Sequence, residues 1–433
     1  MNHLKRYKVA ENGFTTVPSE TGLIFCHPKK GKVLDLTDSG FQVVGMCVDT
    51  LRQIFKGRMD LDFLTDIQYS IDLNEKKVRF LGFDWLVGKS SKSSGYQYRL
   101  QNNDLGLILF FKMFHAKAES ESSHLKIECS PWYLDNRTPV QIDAFLRTIA
   151  EKILRVPEPH YPAIHLAVDL QGWEPEHDLA DKVACRSRRV AQYNGFENIE
   201  FNFSYISCVY DRCQSFKFGP ATSVQMAIYD KTIQSKDSDK LDYIQNKWKK
   251  YAGKQGRAYD ADSDVFRVEL RYHHSVVEQF ALGSYDSNGV IGLSLKSYTE
   301  ITSHLHGLWQ YGLKSFKLKY NTNYFHPIWS ILMNDLVFAP EGISTPDQQF
   351  NYQRHYKKPD TFSGKNYQLY LGNYLSACAR KRLPFETVLE ELQNNIIWND
   401  IALYYEHINT TEHELIERLC EGYQERILLG YAI

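Results

Sequence analysis

Residues 222–233, TSVQMAIYDKTI, and residues 265–272, VFRVELRY, decide how the chain is read. Both alternate with period two, so each side chain shares a face with residues two positions away. In the first run Val224, Met226 and Ile228 make an apolar face, and Gln225, Tyr229 and Lys231 share the other. In the second, Phe266, Val268, Leu270 and Tyr272 oppose Arg267, Glu269 and Arg271. A third run, AIHLAVDLQG at 163–172, sets Ile164, Leu166, Val168 and Leu170 against His165 and Asp169. If the three strands share a sheet with polar faces aligned, a phenol, an ammonium, two carboxylates, an imidazole and two guanidiniums converge. These groups suit metal-assisted chemistry on a phosphate. The plainer reading is a solvated outer face, which many half-buried strands carry.

Working outward, 433 residues predict two or three domains. Hydrophobic content of 43% and charged content of 24% are ordinary for a globular protein. The net charge of −1 excludes global basicity, so any nucleic-acid surface must be local. Eight Cys without a CxxC read as reduced thiols in a cytosolic protein. The start, MNHLKRYKVAENG, has no apolar leader core, and no run approaches a membrane span.

Residues 1–157 read as a hairpin-rich α+β lobe. FQVVGMCVDTLRQIFKG at 41–57 has helical spacing, and Thr138-Pro139 opens a helix. VPEPHYP at 156–162 reads as a linker into a catalytic lobe, 158–338. Within that lobe 178–195 and 291–311 look helical, and 232–264 is a polar insert. A second linker lies at 339–360, and 361–433 turns helical, with a Thr411/Glu414 capping box. The fold class is α+β: mostly antiparallel sheets with flanking helices, two pseudo-repeated sheet lobes being one arrangement it allows, then a C-terminal helical region.

An ordered set of motifs resembles rolling-circle replication initiators of small plasmids, filamentous phages and their satellites. The matching pieces are HLKIECSP at 124–131, AIHLAVDLQG at 163–172, SFKFGPATSVQMAIYDK at 215–231, DVFRVELRY at 264–272 and FHPIWSILMNDLVF at 325–338. They span roughly 120–340. One departure concerns the 163–172 strand, which in the family carries two acids on one face. Here His165 stands at the first acidic position and only Asp169 remains.

The resemblance implies a nicking enzyme that attacks one strand of an origin with a tyrosine, leaving a 5′-phosphotyrosine and a free 3′-hydroxyl primer. Tyr229 fits the nucleophile best because it shares a face with Lys231; Tyr251, Tyr259 and Tyr272 are nearby alternatives. Phenol ionises near pH 10, so a cation must favour its anion. Lys231 or a divalent metal, Mg2+ or Mn2+, would supply it. Asp169 and Glu269 are the expected metal ligands with His165 as a third, and Arg267 or Arg271 would clamp the phosphate. Lys247, Lys249, Lys250, Lys254 and Arg257, interleaved with Trp248 and Tyr251, are candidates for DNA binding, as are Arg186, Arg188 and Arg189. The implied partners are origin DNA, as duplex and as single-stranded nick site, and the host helicase and replication machinery, in the host cytoplasm. A non-catalytic DNA-binding regulator and a mobilisation relaxase are the alternatives. His304 and His306 imitate a metal pair of another nicking superfamily, but their surroundings read as helix, where residues two apart point about 200° apart.

Overall fold

The computed structural model describes all residues except 12, 14, 186–189, 192–200, 203–204, 210–211, 344–349, 356–363, 408–409 and 429–433. The chain divides into two units, Met1–Arg354 and His355–Ile433. The division falls inside the 339–360 stretch. The second unit holds four described helices, Gly364–Lys381, Phe385–Gln393, Trp398–His407 and Glu412–Leu428. They close around Leu375, Val388, Leu392, Ile401 and Leu415. The Thr411/Glu414 capping box forms, with bonds of 2.8 and 3.3 Å.

The first unit is built on an eleven-stranded sheet. Its strands are β1 (Gln42–Met59), β2 (Lys77–Phe80), β3 (Phe83–Lys89), β4 (Tyr96–Asn102), β5 (Leu107–Met113), β6 (Ser122–Cys129), β7 (Leu154–Gln171), β8 (Tyr205–Val209), β9 (Arg212–Phe218), β10 (Val224–Asp230) and β11 (Val265–Tyr272). The order is β8-β9-β10-β11-β7-β1-β6-β5-β4-β3-β2, and the paired strands are antiparallel. Each half opens on an 18-residue strand, β1 or β7, and its last strand returns to pair with that first one. The two sheet lobes therefore share one connectivity and fuse through the β1–β7 pair.

That fusion corrects two expectations. The segment 156–162 is not a linker, because β7 runs through it. Pro157, Pro159 and Pro162 cannot donate to a ladder; Pro157 and Pro162 fall at the register shifts between Arg155 and Glu158 and between His160 and Ala163, and Pro159 stays in register opposite Phe55. Residues 41–57 are strand, not helix. Val43, Val44, Val48, Thr50 and Ile54 favour a pleated surface, and both neighbours, β6 and β7, pair with it. Bulges in the β1–β7 ladder break the alternation that would have revealed the strand.

Other helix readings also shift. Among the described residues of 178–195, helix is confined to Leu179–Lys182 and strand follows at Val183–Cys185 and Val190–Ala191; Arg186, Arg188 and Arg189 lie outside the described residues. In 291–311 the helices begin later, at Tyr298 and at Leu305. The polar insert after β10 is largely helical: α1 (Lys231–Asp237) and α2 (Leu241–Lys254).

The apolar face of β7, β10 and β11 packs into the main core, with Leu166, Val168, Met226, Ile228, Val268 and Leu270 fully buried. The helix Leu305–Ser315 lies close against it. A Cβ on Gly312 would come within 2.4 Å of a Leu270 methyl. Tyr272 sits on this side, and its hydroxyl donates to the Leu308 carbonyl at 2.6 Å.

Candidate functional site

Direct cross-strand partners point to the same side of a sheet. On the polar side β11 sets Arg267 opposite Asp169 and Tyr229, Glu269 opposite Ala167 and Ala227, and Arg271 opposite His165 and Gln225. Asp169, Glu269, His165 and Tyr229 therefore share one face. This face is not solvated. Arg267, Glu269 and Asp169 are 2%, 1% and 3% exposed. Burial on that scale demands that each charge be paired.

The pairing is extensive. Arg267 donates through Nε and Nη2 to Asp169, at 2.6 and 2.9 Å, and through Nη1 to Asp49. Trp248 of α2 adds an indole N–H to Asp169 at 2.7 Å. Arg271 grips Glu269 at 2.8 and 3.0 Å and reaches Gln225 at 3.0 Å. His165 Nδ1 lies 3.0 Å from Glu269 Oε1, and the Tyr229 hydroxyl donates to Oε2 at 3.0 Å. Burial works against ionisation of both acids, but the bonds from His165 and Arg271 hold Glu269 well below the usual carboxylate range. Arg267 and Trp248 lower Asp169 in the same way. Tyr229 moves the other way: burial, then the Glu269 charge, raises its phenol well above 10.

Two expected roles change. Asp169 lies outside the group of described residues whose ligand atoms converge, and its oxygens bond Arg267 and Trp248. Among the described residues, Asp49, His165 and Glu269 form such a group of three, with ligand atoms within 4.8 Å of one another. Asp49 owes its position to a bulge. His165 pairs with Thr50 and Leu166 with Val48, so Asp49 is the extra residue of β1 and its carboxylate turns to Arg267. Two carboxylates and an imidazole suit Mg2+ or Mn2+. Nor are Arg267 and Arg271 open phosphate clamps, since the sheet's own acids engage both.

Lys231 does not continue the strand. Asp230 caps α1 by accepting from Ile233 N at 2.9 Å, and Lys231 begins the helix. Its Nζ donates to Gln234 at 2.6 Å and lies 5.9 Å from the centre of the Tyr229 ring. Burial and then Arg267 lower its pKa.

The expected DNA-binding lysines lie on α2, whose buried stripe is Ile244, Trp248 and Ala252. Trp248 packs with Val44, Ile244 and Val265 over the polar face. Gly45 leaves room for this, since a Cβ there would meet Asp169 Oδ2 at 2.8 Å and Trp248 at 3.2 Å. Lys247 pairs with Asp135, and Lys250 and Lys254 with Glu341; Lys249 and Arg257 are exposed. Tyr251 and Tyr259 are half-buried. His304 Nδ1 lies 3.0 Å from the Tyr352 hydroxyl, and His306 Nδ1 accepts from Phe338 N at 3.1 Å, so the two serve separate contacts.

No family model matches the sequence. A protein of Pseudomonas phage Pf1, described as uncharacterized protein ORF430, is 36% identical over 440 residues, covering 100% of this chain and 99% of that protein. The chain belongs to the ORF430 family. Among the described residues of this ORF430-family member, no helix is long and apolar enough to cross a membrane. The similarity runs the whole length of this chain.

Proposed function

We propose that the protein initiates rolling-circle replication of a phage or plasmid genome by nicking one strand of an origin through Tyr229, in the host cytoplasm. The observation that carries this reading is the Tyr229 hydroxyl at 3.0 Å from buried Glu269, in a group that also contains half-buried Asp49 and His165 and buried Lys231. The phage relative is consistent with a genome of that kind.

In the reaction the Tyr229 oxygen bonds to phosphorus and the P–O3′ bond breaks. The phenolic proton passes by way of the Glu269 hydrogen bond to solvent, and the departing 3′-oxygen takes a proton from water. Glu269 also orients the phenol, and Arg271 keeps that carboxylate ionised. Arg267 balances Asp49 and Asp169 without reaching the substrate. A divalent cation held by Asp49, His165 and Glu269 would offset charge on the phosphate and make the raised phenol easier to ionise.

A second reading, a DNA-binding regulator with the same fold, draws on the internal pairing of both guanidiniums. Incubating the purified full chain with Mn2+ and supercoiled origin plasmid separates the two. The nicking reading predicts open circles with protein bound to the cut strand through denaturation. Retarded but uncut DNA would favour the regulator.

A further inference from the structure

Two hollows flank the polar face; Tyr229 itself lines neither, but Lys231, whose Nζ is 5.9 Å from the Tyr229 ring, and Asp49 line the larger. The larger, about 1630 Å3, extends from Asp49 and Arg52 to Lys231, Lys236 and Lys240. The smaller, about 490 Å3, has Asp169 and Arg267 among its lining residues. The smaller volume falls within the range of small-molecule pockets, roughly 300–1,000 Å3. Trp132, Tyr243 and Ile244 line both hollows and so form the ridge between them.

The two hollows differ in what they offer. In the smaller, Arg267 is paired with Asp169, Lys247 with Asp135 and Lys250 with Glu341. Arg137 stacks on Tyr133 at 4.2 Å and donates to its carbonyl at 3.2 Å. With these cations occupied, the hollow offers the aromatic rings of Trp132, Tyr243 and Tyr251 beside apolar Met46, Val48 and Pro139. Trp132 is 47% exposed yet held in place, its indole N–H on the Asp104 carbonyl at 3.1 Å and its ring edge-on to Tyr243 at 5.4 Å. Arg267 joins the hollows, touching Asp49 in the larger and Asp169 in the smaller.

We infer that the smaller hollow receives one nucleobase of the single strand whose phosphate lies at Tyr229, stacked against Trp132 and Tyr243 while the sugar-phosphate chain stays in the larger hollow. The inference rests on the nicking reading for its substrate. An interior without open cations rejects phosphate, whereas every base has a face that stacks on an aromatic ring. The ridge position of Trp132 lets one strand cross from the reacting phosphate into the smaller hollow.

The test uses full-length Tyr229→Phe protein, so that cleavage plays no part, and a short oligothymidylate carrying one central 2-aminopurine. Binding should quench the probe's fluorescence. Adding Trp132→Ala should remove most of the quenching and weaken the oligonucleotide about tenfold, the scale of one lost base–aromatic stack. Duplex affinity and Mn2+ binding should stay unchanged. Tyr243→Leu should act in the same direction. Absent quenching, or wild-type affinity in both variants, would overturn the proposal; equal quenching of free 2-aminopurine deoxynucleotide would assign the hollow to a mononucleotide instead. Failure of the nicking reading shows separately, as wild-type protein that quenches the probe but never cuts plasmid.

Discussion

The Tyr229 hydroxyl donates to Glu269 Oε2 at 3.0 Å, and Arg271 grips the same carboxylate at 2.8 and 3.0 Å. One acid thus positions the phenol and is itself kept ionised. Glu269→Gln preserves the shape and removes the charge. Nicking of supercoiled plasmid should fall by about 100-fold or more, the scale of a lost proton acceptor. Activity within a few-fold of wild type would remove Glu269 from the reaction.

Asp49 and Asp169 both contact Arg267, yet their loss should differ. Asp49→Asn should weaken Mn2+ binding more than about tenfold by calorimetry, since even outer partners of metal ligands carry that weight. Asp169→Ala should keep Mn2+ binding and lose about 3–5 kcal/mol of stability, because Arg267 is then buried beside a missing partner. The reverse pattern, metal loss at Asp169 with normal unfolding, would return Asp169 to the ligand set.

Much of this was legible in the chain because period-two alternation survives in β7, β10 and β11. Their registers bring together the polar residues that the alternation singled out. Asp49 was hidden because β1 carries bulges where its pattern mimics a helix, so the nearest acid to His165 and Glu269 looked remote. Trp248 was misjudged for a related reason. Its surrounding lysines suggested an aromatic ring within a DNA-binding segment, whereas the indole packs on the polar face and bonds Asp169. The sharing of Arg267 between two acids depends on the fold bringing distant segments together, which no local pattern reveals.

Acid should weaken the protein through this network. Asp169 and Glu269 are both lowered on folding, whereas unfolded Asp and Glu titrate near pH 3.9 and 4.3. The unfolded state therefore binds more protons as pH falls through 4. The stability these acids contribute is complete above about pH 5 and is lost as pH drops toward their folded-state values. Urea midpoints should hold between pH 6 and about pH 5 and then fall, with a shallower fall in an Asp169→Leu/Arg267→Met double variant. Identical pH profiles would separate acid unfolding from this pair.

In the proposed reaction the Tyr229 oxygen becomes bonded to DNA. Tyr229→Phe keeps the ring and removes one oxygen, so folding, DNA binding and Mn2+ binding should remain. The most direct measurement is mass spectrometry of the DNA-linked peptide, from wild-type protein incubated with Mn2+ and origin DNA and then digested. A nucleotide adduct is expected on Tyr229, and none with the Phe variant. An adduct on Tyr251, Tyr259 or another residue, or full nicking by Tyr229→Phe, would contradict it.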